Sequence, residues 1–136
     1  MANEAVLEVE TELPIMFTCA NDTRIEKGAI LTLSDPMTAE LCTTDGAVVA
    51  GIAAEEKIAN DGKTKIAVYR RGIFKMLAGT SITAGQAVDT HAATGATNEV
   101  AAAPAAGDSV LGLALETADD GHTLLVELNP RVRDIA

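Results

Sequence analysis

The sequence predicts a mainly β protein: a small β-barrel built from two pseudo-repeated hairpin units and preceded by an extended N-terminal arm. In two places an apolar segment runs into an Asp-Gly turn and is followed by a second apolar strand, the local pattern of a β-hairpin. The pattern Val-x-Gly-(Ile/Leu)-Ala-x-Glu, followed by Asp-Gly-x-Thr, begins at Val49 and again at Val110. Two units are too few for a solenoid, so we expect both to close into one barrel-like domain.

The two hairpins are predicted to turn at residues 60–63 and 119–122. A primed turn needs positive φ at its central residues, and glycine adopts this without steric cost, so Gly62 and Gly121 are the predicted structural turn residues. We expect the two turns to lie at related places in two superposable halves. Chance convergence of two hairpins is the alternative, because the apolar register after the turn differs by one residue between the copies.

Residues 1–24 are predicted to form an N-terminal arm or edge strand, separate from a single β-domain at residues 25–136. Pro14 cannot donate a hydrogen bond to a neighbouring strand, which favours an edge strand or an arm on another surface; an ordinary first strand is the alternative. We expect a partner to cover the apolar stretch and the β-domain to fold without residues 1–17. The candidate contact residues are Leu13, Pro14, Ile15, Met16 and Phe17.

Length and charge limit the classes of function. A chain of 136 residues can bury a core without a disulfide or a metal. Its net charge of −10 repels phosphate backbones and anionic lipids, so neither nucleic acid nor a membrane is an expected partner. The N-terminus lacks the features of a signal peptide and no apolar run is long enough to span a membrane, so we expect synthesis in the cytoplasm without export.

No pattern typical of an enzyme, a cofactor or a metal site occurs in the sequence. His91 and His122 lie in or beside predicted turns, and the two cysteines form no CxxC motif. Arg70 and Arg71 are the cationic feature of the first hairpin; they either pair with a partner or only solvate the hairpin. Neighbours in a strand face opposite sides, so at most one of them would face the same partner.

A family resemblance is carried by residues 28–36, 49–58 and 61–74, read in that order. They resemble the capsid decoration proteins, also called cement proteins, of tailed viruses of bacteria and archaea. More distantly, residues 45–74 resemble the head decoration protein of phage lambda. The resemblance covers residues 13–128 and is strongest over residues 28–76; no single motif is diagnostic, because the signal lies in their order.

This resemblance implies a barrel of the β-tulip kind and homotrimers on the outer surface of an icosahedral capsid. The implied function is a virion structural protein that stabilises the mature shell by clamping neighbouring major capsid protein subunits. A virion-surface carbohydrate- or receptor-binding module is the alternative, and it would need exposed aromatic residues, of which the chain has few. A small hydrolase would need a convergent polar site, which the sequence does not indicate.

Overall fold

The fold is taken from a computed structural model that describes residues 3–43, 47–91, 98–102 and 109–132. Within these ranges no helix is long and apolar enough to span a membrane. The described strands are β1 (Val6–Val9), β2 (Ile15–Thr18), β3 (Ile30–Asp35), β4 (Thr38–Leu41), β5 (Val49–Ala53), β6 (Lys65–Tyr69), β7 (Gly72–Ala78), β8 (Ala87–His91), β9 (Glu99–Ala102), β10 (Ser109–Ala114) and β11 (Thr123–Val132).

The strands form two closed five-stranded barrels of the same topology. In the first barrel the order is β2-β4-β3-β5-β6, and in the second it is β7-β9-β8-β10-β11, with β1 added at the edge of β7. Each barrel is closed by one parallel pair, β2 with β4 or β7 with β9. The predicted mainly β fold of two pseudo-repeated units is confirmed. Each unit closes its own barrel, however, instead of sharing one, because its first strand pairs with its own last strand.

The repeat extends to the register of individual pairs. Phe17 opposite Ile66 in the first barrel corresponds to Met76 opposite Leu124 in the second. The repeated glutamate also has the same role twice: the Glu55 carboxylate accepts the Ala67 N–H at 2.8 Å. In the second barrel Glu116 accepts the Leu125 N–H at 2.9 Å. In each barrel, therefore, the glutamate of the motif links the loop that follows β5 or β10 to the backbone of the next strand, β6 or β11.

The repeated Gly51 and Gly112 lie where two strands approach closely. A Cβ at Gly51 would run into the carbonyl oxygen of Tyr69, and one at Gly112 into that of Glu127. Both positions therefore need a residue without a side chain, which explains why glycine marks the same place in each unit.

The predicted primed turns are wrong in type, although both glycines have positive φ. The angle is +85° at Gly62 and +88° at Gly121, but neither Asp61 nor Asp120 has a positive φ. In the second turn the His122 N–H donates to the Asp119 carbonyl at 3.0 Å, and positive φ at the third residue alone is the pattern of a type II turn. Glycine is needed in either turn type, so the Asp-Gly pattern does not distinguish them.

The two barrels pack into one unit. The core of the first barrel contains Phe17, Cys19, Ile25, Ala29, Leu31, Ala39, Ala50, Ala53, Ile66 and Val68. Ile30, Val49 and Ile52 of the same barrel instead join the apolar cluster of the second. Hydrogen bonds also cross the junction: the Ile30 N–H donates to Asn98 Oδ1 at 3.0 Å and the Ala47 N–H to Thr90 Oγ1 at 3.1 Å.

The N-terminal segment is part of this unit. β1 pairs antiparallel with β7 of the second barrel, and the Ala5 N–H donates to the carbonyl of Gly28 in the first at 2.9 Å. β2 pairs with β6 over residues 15–18 but with β4 only at Thr18, so it is a strand of the barrel wall and not a separate arm, and only its N-terminal part keeps the open side of an edge strand. Pro14 permits this because β2 begins one residue after it, where no N–H of Pro14 is needed. The expectation that residues 1–17 are dispensable for folding loses its basis.

Candidate interaction surfaces

Residues 13–17, the predicted contact stretch, differ in burial: Phe17 lies in the barrel interior and Leu13, Ile15 and Met16 are exposed. Phe17 is 3% exposed and packs in the first core, so its prediction as a partner contact is wrong. Leu13 is 74% exposed, and Ile15 and Met16 are about half exposed. Met16 is exposed because it faces the opposite side of β2 from Phe17, whereas Ile15 faces the same side as Phe17 and is exposed where the strand begins.

The free edge of β2 carries a backbone donor. The Thr18 N–H donates to the Met37 carbonyl at 2.7 Å, on the side of β4. Alternate residues of a strand direct their N–H groups to the same side, so the Met16 N–H points away from β6 as well. Thr18 is the one β2 residue paired with β4, and no described strand pairs with Met16 on that side. Residues 13–16 therefore combine an apolar surface with an unpaired strand edge.

The two arginines differ in environment. Arg70 is half-buried, and its Nη1 donates to the carbonyls of Val49 at 3.2 Å and Ala50 at 2.8 Å. Burial, together with the neighbouring Arg71, lowers the pKa of Arg70. Arg71 is exposed. Arg70 therefore joins the end of β6 to β5, whereas Arg71 is the one of the two that projects into solvent.

A buried lysine, which the sequence analysis missed, organises the loop between β5 and β6. Lys57 is 1% exposed, and its Nζ donates to the carbonyls of Asn21 at 2.7 Å and Ile58 at 3.1 Å and to Asp61 Oδ1 at 3.2 Å. Three acceptors satisfy the ammonium group, which would otherwise be costly to bury. In the sequence Lys57 stands within Glu-Glu-Lys-Ile, which looks like an ordinary solvated run.

Two carboxylates hold the same loop and have lowered pKa values. Backbone donation by Lys63, followed by the hydrogen bond from Lys57, lowers the pKa of Asp61. Backbone donation by Ala67 and the ion pair with Lys63 lower the pKa of Glu55. The shape of the loop therefore depends on the ionised carboxylates of Glu55 and Asp61. Ile58 in the same loop is 62% exposed.

Catalytic or metal chemistry finds little support in the described ranges. There, no group of three or more His, Cys, Asp or Glu side chains could hold a metal ion. His91 Nδ1 lies 3.4 Å from Glu99 Oε1, and both side chains would meet a Cβ placed at Gly79. His122 is exposed in its turn. Cys19 is buried and Cys42 half-buried, both as free thiols, and burial raises the pKa of Cys19.

Comparison with known proteins decides the family. A family model described as phage cement protein matches residues 9–129. The chain belongs to the phage cement protein family. No curated protein sequence matches it significantly. Among solved structures, the N base of head fiber gp8.5 in bacteriophage phi29 is similar, with 16% identity, a TM-score of 0.57 and coverage of 88% of this chain and 97% of that one.

At this identity the likeness to the phi29 protein concerns the fold alone, and it extends over both barrels because 88% of the chain is covered. Family membership supports a structural role associated with the phage capsid. The exposed residues described above are therefore candidates for contacts between proteins.

Proposed function

We propose that this cement protein binds the outer surface of the phage capsid as a homotrimer and stabilises the mature shell by clamping neighbouring major capsid protein subunits. The match of the cement family over residues 9–129 carries the proposal. It is supported by the exposed apolar residues at positions 13–16 and the open edge of β2 beside them.

Clamping follows from preferential binding. A protein that binds two neighbouring subunits only in the mature lattice lowers the free energy of that lattice relative to an unexpanded or broken one. Many copies act together, so modest affinity at each site gives large stabilisation of the whole shell.

The capsid contact is the free edge of β2. An extended segment of the capsid protein adds there, with the Met16 N–H donating to it and Leu13 and Ile15 packing against its side chains. Arg71 is a further contact, because it is exposed, whereas Arg70 is held by the carbonyls of β5.

The alternative, a carbohydrate- or receptor-binding module, is disfavoured by the positions of the three aromatic residues. Phe17 and Phe74 are buried. Tyr69 is half-buried; it packs edge-on against Phe74 at 5.7 Å and its hydroxyl donates to Glu10 at 3.0 Å. A sugar-binding face normally presents an aromatic ring to its ligand, and no aromatic ring is free here to do so.

Co-sedimentation with shells of the same phage that lack this protein tests the proposal. Met16→Pro removes the N–H at the open edge but no bond to β6, so we expect an unchanged melting temperature and loss of shell binding. Met16→Ala is the matched control, because it shortens the side chain and keeps the N–H. Wild-type protein that fails to sediment with shells would contradict capsid binding. Equal binding by both variants would contradict only the edge contact.

A further inference from the structure

The contact between the two barrels joins unlike surfaces. The first barrel contributes its flank, defined as the outer side of β3 and β5 at Ile30 and Ile52, which are 1% and 0% exposed. The second barrel contributes its rim, where β10 and β11 contact β5 and where Thr90 and Asn98 accept hydrogen bonds across the junction. The flank of one barrel is thus seated on the rim of the other.

Because the repeat preserves register, each barrel has both surfaces. The pair Ile30–Ile52 corresponds to Ala87–Leu113, which forms the flank of the second barrel. The rim of the first barrel is found in the same way: Leu33 opposite Ala39 corresponds to Thr90 opposite Val100.

Met37 is the counterpart of Asn98, both by its place before a strand and by its backbone conformation. Met37 immediately precedes β4 and Asn98 immediately precedes β9. Both have the left-handed conformation, with φ of 51° and 57°. The rim of the first barrel therefore includes Leu33 and Met37, which are exposed, so one flank and this part of one rim are left over in each chain.

The left-over surfaces are exposed and apolar. On the flank of the second barrel Leu113 is 38% exposed, and Leu115, just beyond β10, is 40% exposed. On the rim of the first barrel Leu33 is 41% and Met37 is 53% exposed, beside Val48 at 45%. The Leu33 N–H donates to the Val48 carbonyl at 2.9 Å, so Leu33 and Val48 lie together. Apolar clusters of this kind on an otherwise charged protein mark contact sites.

We propose that the partner of these surfaces is a second copy of this chain: the flank of the second barrel of one copy docks on the rim of the first barrel of the next. The contact repeats between chains the arrangement that already exists within one. It is head-to-tail, so successive copies form a ring if the rotation closes and a filament if it does not. With the proposed homotrimer the ring has three copies. This self-association is separate from capsid binding.

Two variants that each lack one surface test the head-to-tail contact. Leu113→Glu charges the flank and leaves the rim intact, and Met37→Glu charges the rim and leaves the flank intact. Ile58→Glu is the matched control, because Ile58 is a more exposed apolar residue in a loop that belongs to neither surface. Sedimentation velocity measures association, and thermal unfolding confirms that the variants remain folded.

We expect wild type and Ile58→Glu to sediment as the same closed oligomer and each of the other two variants to sediment as a monomer. An equimolar mixture of those two should form a dimer and nothing larger, since one intact flank meets one intact rim. Monomeric wild type, association of either single variant, or a mixture that stays monomeric would overturn the proposal. Shell co-sedimentation of the monomeric variants separates this result from a failure of capsid binding.

Discussion

Because β2 is a strand of the first barrel's wall, substitutions at two adjacent residues should differ greatly in their effect on the free energy of unfolding. Phe17 is 3% exposed and packs in the core of the first barrel, so Phe17→Ala removes a whole buried ring. Substitutions of this kind cost about 3–5 kcal/mol of unfolding free energy, because the lost burial is joined by the cost of the cavity. Met16 is half exposed on the other side of the same strand, so Met16→Ala should change the unfolding free energy by less than about 0.5 kcal/mol.

Urea unfolding followed by circular dichroism measures both values under one condition. The two variants differ by one position in the chain, so effects of the unfolded state are closely matched. If Phe17→Ala unfolds within about 0.5 kcal/mol of wild type, a value typical of surface positions, residues 15–18 are not a core strand and the barrel assignment is wrong. Equal large losses in both variants would show that the strand does not alternate as described.

Three further predictions concern stability. Gly62→Val and Gly121→Val should each cost about 1–3 kcal/mol in urea unfolding, from positive φ alone, since no atom lies within 4 Å of an added Cβ; no loss at either would contradict this. Acid should destabilise the protein: the pKa values of Glu55 and Asp61 are lowered on folding, so their contribution is full above about pH 5 and is lost as pH falls through the folded-state values. Asp61→Asn should flatten the fall in melting temperature with pH, and an unchanged slope would refute it. Deleting residues 1–17 should prevent closure of the first barrel; a dispersed amide NMR spectrum equal to wild type would disprove it.

The repeat could be predicted because the residues that recur in each unit lie close together in the sequence. Gly51 and Gly112 recur where strands approach closely, and Glu55 and Glu116 recur where a loop carboxylate accepts a backbone N–H. These residues lie in the segments that lead into the Asp-Gly turns, so a scan along the chain finds them. The family resemblance rests on the same positions.

The number of barrels could not be predicted, because the strands that close them carry no pattern. β4 and β9 are four residues long, and the parallel pair that closes the first barrel is a single pair, Thr18 with Thr38. Pro14 was misleading for a different reason: a proline excludes a residue from the interior of a ladder, but not the strand that begins directly after it.

The surfaces depend on tertiary packing, which is why sequence reasoning found them only in part. Ile52 is buried between the barrels and its counterpart Leu113 is exposed, a difference that the sequence cannot show because both look like core residues of a strand. Lys57 is the converse case, a charged residue among charged neighbours that is almost completely buried.

A cryo-electron microscopy reconstruction of the mature phage capsid tests the central claim most directly. The account predicts pairs of five-stranded barrels on the outer surface, arranged as trimers, with the β2 edge at Met16 against major capsid protein subunits. A capsid whose outer surface lacks these barrels, with the protein elsewhere in the virion or absent from it, would contradict the account.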